Sequence, residues 1–188
     1  MRLDLADDST MALVFQYGSN MSVARLNGED RLAGDAKPIC VAKTIEPFEL
    51  IFSVWSKSNN CATADLLPSK TGRNIYGVLY EVPDFLLSRD TAKQKSRKSL
   101  DAIEGEGTNY VCATIDLIAN DGEKVRAITY LVKNRQANLK TSAAYVGHIL
   151  AGLREHNMPY EYSQYVRSKI IENNGDLRDA LPAFTPDA

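Results

Sequence analysis

The sequence has few of the residues that would assign it to a specialised class of protein. It contains three cysteines and two histidines among 188 residues. The cysteines, Cys40, Cys61 and Cys112, have no metal or redox spacing, and each occurs in an apolar segment. We therefore expect three buried free thiols in a reducing compartment. His148 and His156 have no third ligand at a suitable spacing, so we assign them to packing or the surface and predict no metal site.

Long apolar runs and an excess of one charge are also missing. No run approaches the about 20 apolar residues that a membrane-spanning helix requires, and residues 1–8 have no apolar core of signal-peptide length. The formal net charge is -2, so no global field favours nucleic acid or a membrane surface. We expect a cytoplasmic protein that binds neither.

The composition that remains is that of an ordinary folded domain. Hydrophobic residues make up 44% and charged residues 24% of the chain, which is typical of globular proteins. The length suits one domain better than two, and there is no repeat or low-complexity linker. We predict a single domain over residues 11–174, with loosely held tails at residues 1–10 and 175–188.

Strand-like segments come early in the chain and most helical segments come late. Runs of β-branched and aromatic residues predict strands near residues 12–16, 39–45, 48–55, 62–67 and 74–82. Asp121 and Gly122 predict a tight hairpin between strands 110–119 and 124–133. A long, mainly polar helix is predicted over residues 84–103, and two more begin near Ser142 and Pro159. This order indicates an α+β fold, a small mixed β-barrel with helices, and not repeating βαβ units.

The first segment suited to chemistry is a turn, Tyr17-Gly18-Ser19-Asn20-Met21, at which a buried strand ends and a short helix begins. Backbone N–H groups at such a turn have no intrahelical partner, and they are well placed to bind an anion or a developing oxyanion. Taken alone, these residues are also explained by a plain turn with a helix cap.

The second segment is Leu100-Asp101-Ala102-Ile103-Glu104-Gly105, which places a carboxylate at the end of a helix in apolar surroundings. If that carboxylate points into a cavity, desolvation raises its pKa. Taken alone, an acid before a glycine is more typical of surface capping. Asp101 and Glu106 are rival acids, and we expect Asp101 to face outward or to cap locally.

In combination, the two segments resemble the γ-glutamylcyclotransferase family. In that family a strand ends in Tyr-Gly-Ser-Asn-aliphatic, a later strand carries Gly-Val-aliphatic-Tyr, and Leu-Asp-x-x-Glu-Gly follows with a tyrosine a few residues on. The matching segments here are residues 17–21, Gly77-Val78-Leu79-Tyr80, residues 100–105 and Tyr110. The resemblance extends over about residues 11–174, in the family's order.

The resemblance implies a fold, a reaction and a set of site residues. The implied fold is a compact mixed β-barrel flanked by helices. Glu104 is implied as the catalytic acid/base, Tyr110 as a residue that lines the pocket, and Tyr145 as a residue that covers it. The turn that is implied to bind the γ-glutamyl group consists of Tyr17, Gly18, Ser19, Asn20 and Met21.

The implied reaction is cleavage of a γ-glutamyl amide by intramolecular cyclisation, which releases 5-oxoproline and a free amine or amino acid. The attacking α-amine is tethered to its target, so its effective molarity is high. A carboxylate that shuttles one proton and fixed donors for the oxyanion then suffice. We therefore expect no metal and no organic cofactor, and a small-molecule γ-glutamyl substrate as the partner. A homodimer stays open.

Three functions stay open at this point. The first is cyclotransfer on small γ-glutamyl peptides, as in glutathione metabolism. The second is the same chemistry on a γ-glutamyl amine or a protected biosynthetic intermediate. The third is a non-catalytic binding module that uses a basic helix at residues 89–98. The sequence departs from the family in the long basic segment 84–99. It also lacks the expected glycines in loop 57–61, which we place beside the leaving group.

Overall fold

The computed structural model describes residues 10–185 and contains seven strands and five α-helices in that range. The strands are β1 Met11–Gln16, β2 Lys37–Thr44, β3 Phe48–Ser56, β4 Cys61–Pro68, β5 Tyr76–Pro83, β6 Tyr110–Ala119 and β7 Lys124–Val132. The α-helices are α1 Val23–Leu26, α2 Arg89–Gln94, α3 Leu100–Glu104, α4 Ala143–Glu155 and α5 Tyr160–Asn173. Short 3-10 helices occupy Ser19–Met21, Asp84–Leu86 and Gly175–Leu177.

Five of the strands form a closed barrel in the order β1-β5-β2-β6-β7. The neighbouring pairs are antiparallel, except that β1 and β7 close the barrel in parallel through Val14 and Ile128. Closure leaves these five strands without a free edge. The α+β fold with a mixed β-barrel flanked by helices is therefore confirmed. The predicted hairpin is also present, with Gly122 at φ 92° in its turn.

The strands β3 and β4 form a separate two-stranded ribbon. Asp65 of β4 is fully buried and accepts hydrogen bonds from the Ser53 hydroxyl, the Val132 amide and the Arg135 guanidinium. Because a buried carboxylate is costly unless it is paired and hydrogen-bonded, these bonds fix the ribbon against the end of β7.

Helix α4 packs against the turn that follows β1. Ser142 caps the helix by accepting a hydrogen bond from the Tyr145 amide, as predicted. Gly152 allows a close approach, since a Cβ atom there would lie 2.5 Å from the Cβ of Met21. Glu155 accepts from the Ser22 hydroxyl at 3.0 Å and from the Val23 amide at 2.8 Å, so α4 also caps α1.

The prediction of one long helix over residues 84–103 is wrong. The segment consists of a 3-10 helix, α2 and α3, and the chain turns at Ser96, whose φ is 54°. Ser88 and Ser99 cap α2 and α3 by accepting from backbone amides three residues on. Serine side chains favour caps over helix interiors because they compete for backbone hydrogen bonds. The basic helix 89–98 therefore does not exist as one element.

The expectation of three buried thiols is wrong for Cys112, which is exposed on β6. Cys61 is buried, Cys40 is partly buried, and all three are free. An apolar strand of an antiparallel sheet has one face that can meet solvent, so apolar neighbours alone did not determine burial.

Two further observations concern the chain ends and membranes. Residues 1–9 and 186–188 of the predicted tails lie outside the described residues. The described part of the second tail contains the last 3-10 helix, and it buries Leu177 and Leu181. Within residues 10–185, no helix has the length and apolar character that crossing a membrane requires.

The close contact between α4 and the turn predicts an asymmetry between two glycines of one helix. Gly152→Ala should lower the free energy of unfolding by roughly 1–3 kcal/mol, because the new methyl group would overlap Met21. Gly147→Ala is the control: no atom lies within 4 Å of its added Cβ, and alanine favours the helix by up to about 1 kcal/mol. Urea unfolding compares the two variants. Equal stability would contradict the close packing of α4 on the turn.

Candidate active site

Glu104 is the last residue of α3, and its carboxylate faces the turn that follows β1. Gly105 adopts the left-handed conformation, with φ 72°, and ends the helix. The Glu104 Oε1 atom accepts hydrogen bonds from Asn20 Nδ2 at 2.8 Å and from Gln16 Nε2 at 3.1 Å. The fold thus brings together the two segments that the sequence singled out.

The environment of Glu104 favours its neutral form. Burial raises the pKa of the carboxyl above its ordinary value of 4.5. The hydrogen bond from Asn20, the charge of Arg31, the bond from Gln16 and the charge of Arg25 oppose this shift without cancelling it. A carboxyl with a raised pKa exchanges protons more readily near neutral pH, as an acid/base group must.

The two rival acids are engaged elsewhere. Glu106 forms an ion pair with Arg89 at 3.1 Å. Asp101 accepts a hydrogen bond from the Tyr130 hydroxyl at 2.7 Å, so it supports a barrel residue and does not simply face solvent. Of the three acids in this segment, Glu104 is the one that lines the pocket.

The turn at residues 17–20 forms one side of the pocket. The Tyr17 hydroxyl donates to the Tyr130 carbonyl at 2.7 Å, which fixes the start of the turn to β7. Asn20 is a bridge: its amide nitrogen donates to Glu104, and its Oδ1 accepts from Arg31 at 2.5 Å. Gly18 and Ser19 also border the pocket.

Met21 differs in position from the other residues of the turn that are predicted to bind substrate. Its side chain is fully buried in the core, and its amide donates to the Gly18 carbonyl at 3.1 Å, which closes the turn. Its carbonyl accepts from the Tyr80 hydroxyl at 2.8 Å and lies 3.0 Å from His156 Nε2. Met21 anchors the turn, and the sequence motif alone could not separate anchoring from binding.

Tyr110 and Tyr145 both line the pocket, and both bind the backbone of one residue. The Tyr110 hydroxyl donates to the Ala64 carbonyl at 2.7 Å, and the Ala64 amide donates to the Tyr145 hydroxyl at 3.1 Å. Burial raises the pKa of both tyrosines, so both hydroxyls stay neutral. The structure therefore brings both predicted tyrosines to the pocket that contains Glu104.

The pocket has a volume of about 460 Å³, within the range of small-molecule sites. A recess of about 30 Å³ adjoins it and is bordered by Gln16, Tyr17, Gly18 and Ala64. Ser56, Ser58 and Asn59 line the wider part, so loop 57–61 does border the pocket. Within residues 10–185, no group of three histidine, cysteine, aspartate or glutamate side chains could hold a metal ion.

The sequence analysis missed the basic side of this pocket, which is formed by Arg25, Arg31 and Lys98. Arg25 Nε donates to the Ser19 hydroxyl at 3.1 Å, and Arg25 Nη2 donates to Asn59 Oδ1 at 2.7 Å. The sequence did contain one signal for the position of Arg25 at the pocket, because Arg25 follows the helix cap Ser22 by three residues. One helical turn returns its side chain toward the start of the helix.

His148 also lines the pocket, although we assigned it to packing or the surface. Burial lowers the pKa of its imidazole, and the charges of Arg25 and Arg31 lower it further. His148 is therefore a neutral group at neutral pH, and it adds no charge to the basic side.

Comparison with known proteins supports the fold. The model of the AIG2-like family matches residues 74–166, from before β5 into α5, a range that contains Glu104 but not the turn. A solved γ-glutamyl cyclotransferase is similar at 22% identity and TM-score 0.69, covering 85% of this chain and 88% of that chain. A structure of an uncharacterized protein from Homo sapiens is similar at 23% identity and TM-score 0.69, covering 84% of this chain and 87% of that chain.

A third similar structure is YkqA from Bacillus subtilis, with 22% identity and TM-score 0.67, covering 88% of this chain and 56% of that chain. No curated protein sequence matches the chain significantly. The barrel has the γ-glutamylcyclotransferase-like fold, as the sequence resemblance predicted. The AIG2-like match covers just under half of the chain.

The raised pKa of Glu104 predicts a pH-dependent stability. The folded state binds the carboxyl proton more tightly than the unfolded state, so stability falls as the pH rises from about 4.5 through the folded-state pKa. Glu104→Gln keeps an acceptor for Asn20 and Gln16 but does not titrate. Its advantage in unfolding free energy over the wild type should therefore grow with pH in a urea titration series. A difference that is constant from acid to neutral pH would contradict the raised pKa.

Proposed function

We propose that this protein cleaves a γ-glutamyl amide by intramolecular cyclisation and releases 5-oxoproline. The observation that carries the proposal is the contact between Glu104 and Asn20, which places a carboxyl of raised pKa beside the turn. The γ-glutamylcyclotransferase-like fold supports this class of activity. A fold hosts many functions, however, so the proposal depends on the site.

Glu104 is the proton carrier in this proposal. Both amide donors bind its Oε1, and within residues 10–185 its Oε2 accepts no hydrogen bond. Oε2 is therefore available to take a proton from the substrate's α-ammonium. The neutral amine nitrogen then bonds to the γ-carbonyl carbon, and the amide C–N bond breaks as Glu104 delivers this proton to the leaving nitrogen. The ionised carboxylate takes the second proton from the ring nitrogen, which leaves a neutral lactam, and passes it to the departing amine.

The turn is the proposed binding site for the oxyanion. The first amides of a helical turn have no acceptor within that turn, and the 3-10 helix Ser19–Met21 begins at the pocket. Preorganised donors at this position stabilise a tetrahedral oxyanion more than the flat carbonyl. The hydroxyls of Tyr110 and Tyr145 are already bound to Ala64, so their rings serve as walls that hold the substrate in a bent conformation.

No observation favours the alternative of a binding module that uses the basic segment. Arg89 pairs with Glu106, and Arg97 pairs with Asp35 at 2.5 Å. Lys98 lines the same pocket as Glu104. These three side chains therefore serve the fold and the pocket.

Glu104→Gln should abolish turnover without unfolding the protein, because the amide is nearly isosteric and cannot shuttle a proton. The rate of 5-oxoproline formation from γ-glutamyl dipeptides should fall by at least roughly 10² to 10⁴-fold. Glu106→Gln is the matched control and should retain activity. Near-normal turnover of Glu104→Gln, or an equal loss in Glu106→Gln, would show that the acid/base assignment is wrong.

A pair of substitutions at Gly18 tests the turn. An added Cβ would lie 3.4 Å from Ala64 Cβ and 3.5 Å from the Tyr145 hydroxyl oxygen, so Gly18→Ala should be accommodated. The two extra methyl groups of Gly18→Val must crowd Tyr145 and the pocket, and they should weaken 5-oxoproline binding at least about tenfold. Calorimetric titration with the product measures both. Unchanged affinity in Gly18→Val would mean that the turn has only a structural role.

A further inference from the structure

The two arginines that line the pocket have no acidic partner among the described residues, whereas four other arginines do. Arg89, Arg97, Arg126 and Arg135 each form an ion pair with an acid. Within residues 10–185, Arg25 and Arg31 form none, and their partners are neutral oxygens of Ser19, Asn59 and Asn20. The pocket therefore keeps two guanidinium groups whose charge no protein carboxylate directly neutralises.

Arg31 has, in addition, an unused donor. Its Nε atom is buried, and it has no hydrogen-bond partner among the described residues. Burial and the nearby charge of Arg25 lower the pKa of Arg31, while Glu104 and Asp30 oppose this shift. A buried donor without a partner is costly, and the described residues leave this guanidinium only partly satisfied. A bound anion in the pocket would relieve the repulsion between the two arginines.

We propose that Arg31, assisted by Arg25, binds a carboxylate on the leaving amine, so that Arg31 selects γ-glutamyl amino acids over γ-glutamyl alkylamines. This proposal rests on the proposed cyclotransfer. Arginine suits the role because its planar fork binds a carboxylate with two parallel hydrogen bonds.

The position of the arginines favours the leaving group over the γ-glutamyl group. Glu104, Ser19 and Asn20 border both the recess and the main pocket, whereas Arg25 and Arg31 border the main pocket alone. The reacting amide belongs beside Glu104, and the part of the substrate beyond the amide extends into the wider space. Arg31 therefore lies on the leaving-group side of the reacting bond.

The charges of the pocket agree with one carboxylate on that side. Three cations, Arg25, Arg31 and Lys98, and two acids, Asp30 and Glu104, line it. With Glu104 ionised, which the first proton transfer of the proposed reaction requires, one net positive charge is left. The ammonium and carboxylate of the γ-glutamyl group cancel each other. A leaving amino acid contributes one further negative charge and balances the pocket, whereas an alkylamine contributes none.

Two substrates that differ by a single carboxylate test the proposal. γ-Glutamylalanine and γ-glutamylethylamide share the γ-glutamyl group and the reacting amide, and only the first has a carboxylate on the leaving amine. In the wild type, kcat/KM for 5-oxoproline release should be at least about tenfold higher for γ-glutamylalanine. In Arg31→Met the ratio should fall to near one, chiefly through loss on γ-glutamylalanine. Arg126→Met, which removes an arginine paired with Asp116 on the β6–β7 hairpin, should leave the ratio unchanged.

Arg31 also contacts Asn20, so its loss can slow both substrates. For that reason the ratio is the diagnostic quantity. A wild-type ratio near one would overturn the proposal. An equal loss on both substrates in Arg31→Met would also overturn it, because that pattern indicates an effect through Asn20 and Glu104 or contact with the shared γ-glutamyl carboxylate.

Binding to the inactive variant Glu104→Gln separates this proposal from the proposed reaction. Calorimetry should show tighter binding of γ-glutamylalanine than of γ-glutamylethylamide, and the added Arg31→Met substitution should remove the difference. If the wild type releases no 5-oxoproline but this preference is present, the proposed function fails and the carboxylate site stands. Equal affinities for the two compounds would refute the carboxylate site, whether or not the protein is active.

Discussion

The site depends on two hydrogen bonds to the backbone of Ala64. This residue lies on β4, and its carbonyl and amide are bound by the hydroxyls of Tyr110 and Tyr145 instead of another strand. Tyr110 begins β6 of the barrel and Tyr145 lies on α4, so the backbone of one residue joins the ribbon, the barrel and the helix. Buried backbone groups must find partners, and satisfying these two fixes both aromatic walls of the pocket.

A second constraint acts on the opposite side of the pocket, where α4 holds the turn from outside the barrel. Gly152 and Glu155 contact the turn and the start of α1, while Tyr145 and His148 of the same helix face the pocket. Because one rigid helix forms part of the pocket wall and also supports the turn, the wall and the turn keep fixed positions relative to each other. This arrangement suits a reaction that relies on holding a flexible substrate in one conformation.

The parts that the sequence predicted well are those governed by local rules. The hairpin at Gly122, the cap at Ser142 and the strand before Tyr17 depend on near neighbours along the chain, and they occur as expected. The interrupted helix was a local signal that we weighted too little, because Ser88 and Ser99 both favour caps.

Other features depend on contacts between segments distant in sequence, and no local pattern contains them. The burial of Met21 results from the approach of Gly152 on α4. The position of Arg31 near Glu104 requires the loop after α1 to pass over the end of α3. There the Asn20 side chain is hydrogen-bonded to both Arg31 and Glu104. The exposure of Cys112 likewise follows from which face of β6 meets solvent, and an apolar segment does not encode that choice.

The closing pair of the barrel has a consequence for biosynthesis. Among the strands within residues 10–185, β1 is synthesised first, and β7, which closes the barrel against it, is synthesised last. The turn after β1 reaches its final support only when α4 follows. Contacts so distant in sequence form slowly. A nascent chain that ends between β7 and α4 has every strand of the barrel, but it lacks Tyr145 and the support of the turn, and so has no assembled pocket. The pocket is therefore completed only when α4 has been synthesised, and chains that end before α4 should be inert.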